Sequence, residues 1–80
     1  MTRRELYNYI TQTHKCKQRV LPEGEARCIY FENPKNSGYA TLNTPIDDRE
    51  MFPATVRAIC LSLGIPIPAA LEPPAIFSTN

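Results

Sequence analysis

The clearest pattern of apolar residues in this chain lies in its second half. Four apolar side chains recur there at intervals of three and four positions, the spacing that places them on one face of an α-helix: Val56, Ile59, Cys60 and Leu63. Pro53 suits the first turn of such a helix because its missing amide hydrogen would have no partner there. Gly64 suits a left-handed C-terminal cap, and Pro66 prevents continuation. The pattern predicts a helix that begins near Pro53 and ends at Gly64.

Another helix is predicted at the N-terminus. The segment Thr2-Arg3-Arg4-Glu5 has the form of a capping box, in which the threonine oxygen accepts from a helical amide and the glutamate reaches back. Leu6 and Ile10 follow at helical spacing. These signals predict a first helix over roughly residues 3–13.

Three short stretches between the helices favour β-structure: residues 16–21, 26–31 and 39–44. Turn-forming residues separate them, and a loop as short as the second one joins its strands into an antiparallel hairpin. The predicted fold class is α+β: a single small domain in the order α-β-β-β-α, with an antiparallel three-stranded sheet and both helices packed on one face. The expected core consists of Ile10, Ile29, Phe31, Leu42, Val56, Ile59 and Leu63.

The C-terminal segment differs in character from the rest of the chain. Four of the eight prolines lie beyond Gly64, and no helical or strand period continues there. We therefore expect a domain over residues 1–66 and an extended, proline-rich tail over residues 67–80. The apolar residues of this segment either cover the core, which we favour, or dock on a partner: Ile65, Ile67 and Leu71.

Composition and charge exclude several classes of protein. The 80 residues make one domain, and 42% apolar with 21% charged residues is a globular composition rather than a disordered one. The net charge of +1 lacks the bulk basic excess of most nucleic-acid binders. No apolar run is long enough for a membrane span, and the N-terminus does not have the form of a signal peptide. We expect no membrane association and a cytoplasmic protein.

The cysteines and acidic residues do not form a recognisable metal or cofactor site. Three widely spaced cysteines fit neither a disulfide framework nor a zinc site, so we expect buried thiols in a reducing compartment: Cys16, Cys28 and Cys60. Asp47, Asp48 and Glu50 lack calcium-loop spacing. We expect the acidic pair Asp47 and Asp48 to stabilise the start of the second helix instead. No cofactor is predicted.

Three local features carry a family resemblance. A strand ends in an aromatic pair and a proline in Ile29–Pro34, and a following strand leads to a proline in Leu42–Pro45. A proline-led helix with a threonine in its first turn then runs through Phe52–Ile65. Together with the element order over residues 5–66, these features resemble the HicA-like family, whose fold is similar to a double-stranded-RNA-binding domain. The resemblance implies that fold, and it implies RNA as a partner or substrate.

One departure from that family concerns catalysis. The resemblance implies a histidine after a Gly-Ser pair at the start of the second strand, where this chain has Gly24-Glu25-Ala26, or Arg27-Cys28 in another register. Acid–base cleavage of RNA needs a group that exchanges a proton near neutral pH, as histidine does. His14 is the only histidine, and Cys28 would need activation. The family's ribonuclease activity therefore requires a displaced catalytic group.

Basic residues cluster in the first third of the chain. Six of the nine lie within the first 27 positions, and we predict that they contact RNA or an acidic protein: Arg3, Arg4, Lys15, Lys17, Arg19 and Arg27. The four tyrosines are candidates to stack on exposed bases: Tyr7, Tyr9, Tyr30 and Tyr39.

Three functions stay open at this level. The preferred hypothesis is a non-enzymatic binding module for RNA or an acidic protein. The second is a HicA-type ribonuclease toxin that uses His14 or Cys28. The third is a structural protein that dimerises through the edge of strand 1 or through the tail.

Overall fold

A computed structural model describes residues 1–21 and 28–68 of the chain. It has the predicted α+β order, and the helices and strands have the following bounds: α1, Arg3–Asn8, with a π-helical continuation, Tyr9–Thr13; β1, Lys17–Leu21; β2, Cys28–Glu32; β3, Tyr39–Asn43; α2, Pro53–Leu63. The three strands form one antiparallel sheet in the order β1-β2-β3. The fold class and element order predicted from the sequence are confirmed.

The sheet has two faces because side chains alternate along each strand. On one face lie the buried Ile29, Phe31 and Leu42, and the helices pack against them. Tyr7 of α1, for example, meets the ring of Phe31 edge-on at a centroid distance of 6.0 Å. The other face points away from the helices.

Ten of the described apolar side chains are buried and form the core: Leu6, Ile10, Cys16, Ile29, Phe31, Leu42, Val56, Cys60, Leu63 and Ile65. Six of the seven predicted core residues are among them. Ile59 is the exception and is only partly buried, because the buried stripe of α2 runs through Val56, Cys60 and Leu63. Leu6, fully buried, was missing from the predicted core.

The start of α1 forms as its sequence predicts. The Thr2 Oγ1 accepts from the Glu5 amide at 3.1 Å, and the Glu5 carboxylate accepts from the Thr2 amide at 2.8 Å. The π-helical turn that follows ends where the His14 amide donates to the Tyr9 carbonyl at 3.2 Å. The predicted helix over residues 3–13 is therefore confirmed, and its second half is π-helical rather than α-helical.

The predicted role of Asp47 and Asp48 is wrong. α2 begins at Pro53 with Phe52 as its N-cap and has no acidic residue in its first turn. The two aspartates instead pair with α1, because the segment that carries them runs alongside the start of that helix. Its backbone takes part too, since the Arg4 amide donates to the Asp47 carbonyl at 2.9 Å.

The end of α2 is hydrogen-bonded to the loop between β2 and β3. Gly64 adopts the left-handed conformation predicted for the cap, with a φ of 67°. The buried Asn33 side-chain amide donates to the Leu63 carbonyl at 2.8 Å, and the Asn36 amide adds a weaker bond at 3.3 Å. A β-carbon on Gly38 would lie 2.5 Å from the Ser62 carbonyl oxygen, so the loop and the helix approach too closely for any other residue.

The first residues after α2 pack on the domain. Ile65 is buried and Ile67 partly buried, as the sequence led us to expect, and the Tyr9 hydroxyl donates to the Pro66 carbonyl at 2.6 Å. Leu71 and most of the predicted tail over residues 67–80 lie outside the described residues. None of the helices in residues 1–21 and 28–68 combines the length and the apolar character that spanning a lipid bilayer requires.

Candidate functional site

The face of the sheet that points away from the helices carries an ordered grid of side chains, which we call the open face. Strand register sets three rows across β1, β2 and β3: Lys17, Glu32 and Tyr39; Arg19, Tyr30 and Thr41; Leu21, Cys28 and Asn43. Most of these side chains are exposed, and none is fully buried. The first two rows hold two cations, two aromatic rings and a carboxylate.

The two tyrosines of the open face stack on one another. Tyr30 and Tyr39 sit diagonally on adjacent strands, with ring centroids 5.8 Å apart and ring planes 20° from parallel. The Arg19 guanidinium lies 5.4 Å from the Tyr30 centroid, within the range of a cation–π contact. Tyr39 is 61% exposed. The open face therefore presents an aromatic surface, the exposed ring of Tyr39 stacked on Tyr30, with the Arg19 cation beside it.

The charged side chains of the open face have no ionic partner among residues 1–21 and 28–68. Lys17 and Arg19 are exposed, and within the described residues neither forms an ion pair. Lys17, Arg19, Tyr30 and Glu32 also line a shallow depression of about 240 Å³. This volume is below the roughly 300–1,000 Å³ of pockets that enclose a drug-sized ligand, so the depression is too small to enclose such a ligand.

Two of the six predicted basic residues connect α1 to the segment before α2 and so stabilise the fold. The Arg3 Nε donates to the Pro45 carbonyl at 2.9 Å and lies 3.7 Å from Asp47, and its side chain is only 18% exposed. The Arg4 Nε pairs with Asp48 at 2.9 Å. Both arginines belong to α1, on the helix side of the sheet, so the structure does not bring them together with Lys17 and Arg19.

Of the remaining two predicted basic residues, Lys15 precedes β1 in the sequence and Arg27 precedes β2. Lys15 is exposed, with a φ of 55°, in the connection that leads from the π-helical turn to β1. It makes no ion pair among the residues that the structure describes. Arg27 lies outside the described residues. The predicted basic cluster therefore reduces to Lys17 and Arg19, with Lys15 just before them.

The other two tyrosines belong to the helix side. The Tyr7 hydroxyl donates to Gln18 at 2.6 Å, and the Tyr9 ring meets His14 edge-on at 4.6 Å. Burial, and secondarily the Cys60 thiol, raises the pKa of Tyr9. These rings hold elements of the fold together, which leaves Tyr30 and Tyr39 as the aromatic pair available to a ligand.

The candidate catalytic residues are not brought into a common site. His14 is partly buried at the end of the π-helical turn, whereas Cys28 lies half-buried in the third row of the open face. No hydrogen bond joins either side chain to another in the described part of the chain. Burial raises the pKa of the Cys16 and Cys60 thiols, which keeps them protonated and weakly nucleophilic.

Sequence reasoning missed Glu32 as a member of this face. The signal that identifies it is the alternation Cys28, Tyr30, Glu32 against the buried Ile29 and Phe31. Across residues 1–21 and 28–68, no three histidine, cysteine or acidic side chains converge as metal ligands. No family model, no curated protein and no solved structure matches this chain.

Proposed function

We propose that this domain is a non-enzymatic module that binds single-stranded RNA on the open face of its sheet. The observation that carries the proposal is the stack of Tyr30 and Tyr39 beside Lys17 and Arg19, two cations that form no ion pair with any residue described by the structure. The resemblance to the HicA-like family supports RNA as the ligand, because small proteins of that fold act on RNA.

The chemistry of the face suits the two parts of a nucleotide. Unpaired bases stack on aromatic side chains, and each stacked base contributes about 1–3 kcal/mol in proteins that bind single strands. Lys17 and Arg19 supply the positive charge that phosphates require. Thr41 and Asn43 add a hydroxyl and an amide, which hydrogen-bond to sugar or base edges.

The aromatic surface favours single strands over duplexes. Bases in an A-form duplex are stacked on each other, so their flat faces are closed to a protein side chain. A ligand that uses Tyr39 must therefore expose a base. Duplex RNA meets only the two cations of the face, and its binding should be correspondingly weak.

An acidic protein partner is disfavoured by Glu32. This carboxylate lies between Lys17 and Tyr39 in the first row, where it repels acidic side chains and reduces the local charge from +2 to +1. An acidic segment would also gain nothing from two stacked aromatic rings. RNA uses the rings as well as the cations.

Fluorescence anisotropy with a labelled RNA oligonucleotide tests the proposal. Single-stranded RNA should bind more tightly than a duplex of the same length. The logarithm of the affinity should fall against the logarithm of salt with a slope of about −1.4, since two neutralised phosphates contribute roughly 0.7 each. Absence of binding between about 50 and 200 mM salt would rule the proposal out. Tighter binding of polyglutamate than of RNA would indicate that the partner of this site is an acidic protein.

A matched pair of variants locates the site. Arg19→Ala removes a cation from the open face, whereas Arg4→Ala removes one from the ion pair with Asp48. We expect Arg19→Ala to weaken RNA binding and Arg4→Ala to leave it unchanged. Equal losses in both variants would indicate attraction to overall charge and would contradict a site on the sheet.

A further inference from the structure

Glu32 is distinguished from the other acidic residues that the structure describes by its lack of a partner. Among these residues, Glu5 completes the capping box, and three more acids pair with arginines or with the N-terminus: Asp47, Asp48 and Glu50. The Glu32 carboxylate accepts no hydrogen bond and forms no ion pair among the described residues, although Lys17 lies directly opposite it on β1. A carboxylate that accepts no hydrogen bond from its own domain can accept hydrogen bonds from a ligand with both of its oxygens.

Glu32 is also placed beside the aromatic surface. It is flanked by Tyr39 on β3, and it lines the depression formed with Lys17, Arg19 and Tyr30. Directly opposed residues on adjacent antiparallel strands have β-carbons about 4.5–5.5 Å apart. The edge of a base that stacks on Tyr39 therefore comes within reach of this carboxylate.

We infer that Glu32 selects guanine at this position, an inference that rests on the proposed function. An ionised carboxylate only accepts hydrogen bonds, and its two oxygens accept from two adjacent donors. Guanine presents two such donors on its Watson–Crick edge, the N1–H and the N2 amino group. Adenine and cytosine present one amino group next to an acceptor nitrogen, and uracil presents one N–H between two acceptor oxygens. The acceptors of those three bases face the carboxylate unfavourably.

The experiment compares three single-stranded RNAs that differ at one central base. The first carries guanine, the second inosine, which lacks only the N2 amino group, and the third adenine. The wild-type protein should bind the guanine RNA about tenfold more tightly than the other two, as expected for a bidentate contact to a base edge. Glu32→Gln should reduce the preference to within about twofold, because one of the two acceptors becomes a donor.

A second variant separates recognition from simple charge. Asp48→Asn also removes one negative charge, but from the ion pair with Arg4. It should keep the guanine preference of the wild type. In Glu32→Gln, binding of the adenine RNA should persist or tighten, since a repulsive charge has been removed from the open face.

The outcomes distinguish the two proposals. Equal wild-type binding of the three RNAs would overturn guanine selection and leave the RNA-binding function standing. A guanine preference that survives Glu32→Gln would likewise overturn the role of this residue. Failure of the wild type to bind any of the RNAs would overturn the proposed function and this inference with it.

Discussion

Two charged regions of this small domain differ in how their charges are partnered. At the start of α1, Arg3 and Arg4 meet the aspartates of the segment before α2, and Glu50 binds the N-terminal ammonium at 2.9 Å. On the open face, Lys17, Arg19 and Glu32 form no ion pair among the described residues. The paired charges at the start of α1 join elements that are distant in sequence, whereas the charges of the open face are left available to a ligand.

The largest expected effect concerns the aromatic surface. Tyr39→Ala should weaken single-stranded RNA binding by about 1–3 kcal/mol, roughly 5- to 150-fold, because a stacking ring is lost. Stability should change little, since the ring is largely exposed. Anisotropy titration and thermal unfolding measure the two quantities. Tyr39→Phe keeps the ring and should keep the affinity. If Tyr39→Ala binds RNA as tightly as the wild type, the Tyr39 ring does not contribute to RNA binding.

The next effect tests the partnered region. Arg3→Ala should lower the free energy of unfolding by about 1–2 kcal/mol, because the bond to the Pro45 carbonyl and the contact with Asp47 are both lost. Urea denaturation measures this change. RNA binding by the folded variant should be that of the wild type. A variant that is fully stable but binds RNA poorly would reverse the roles that we assign to the two regions.

A smaller effect is expected from exposed charges. Arg4→Ala should cost no more than about 0–1 kcal/mol of stability, since the Arg4 and Asp48 side chains are 55% and 76% exposed. Lys17→Ala should leave stability unchanged and make the salt slope of RNA binding shallower by about 0.7, the contribution of one phosphate. A slope that changes in Arg4→Ala and not in Lys17→Ala would place the phosphate contacts on α1.

The smallest expected effect is a dependence of stability on pH. Burial raises the pKa of the Cys16 and Cys60 thiols, so folding favours their neutral forms. Their contribution to stability is complete below the unfolded-state thiol pKa of about 8.5 and is lost as the pH rises through the higher folded-state pKa. Urea denaturation at about pH 7 and about pH 9.5 should show the decline. A stability that rises with pH would contradict the assignment.

Much of the fold was predictable because its signals are local. The capping box at Thr2, the apolar period of α2 and the left-handed Gly64 each depend on residues close together in the chain. The misassigned aspartates show the limit of this reasoning. Their partners on α1, Arg3 and Arg4, lie more than forty positions away in sequence, and only the path of the segment before α2 brings them together.

The candidate site was predictable only in part. Arg19 and Tyr30 were both candidates, but their contact depends on the register between β1 and β2, which no local pattern specifies. Glu32 was missed because an exposed acid in a strand has no distinctive spacing. The period-two alternation of β2 indicates which face it shares, yet its neighbours come from two other strands.

The hydrogen bonds between the loop after β2 and the end of α2 limit how the length of this loop can change in evolution and in engineering. With Asn33 and Asn36 both bonded to the Leu63 carbonyl, the chain has a fixed number of residues in which to return to β3. Adding or deleting one residue there would turn Tyr39 towards the helices and Ala40 towards solvent. Loop length in related sequences should therefore track the presence of a tyrosine at this position, and insertions for labelling belong elsewhere.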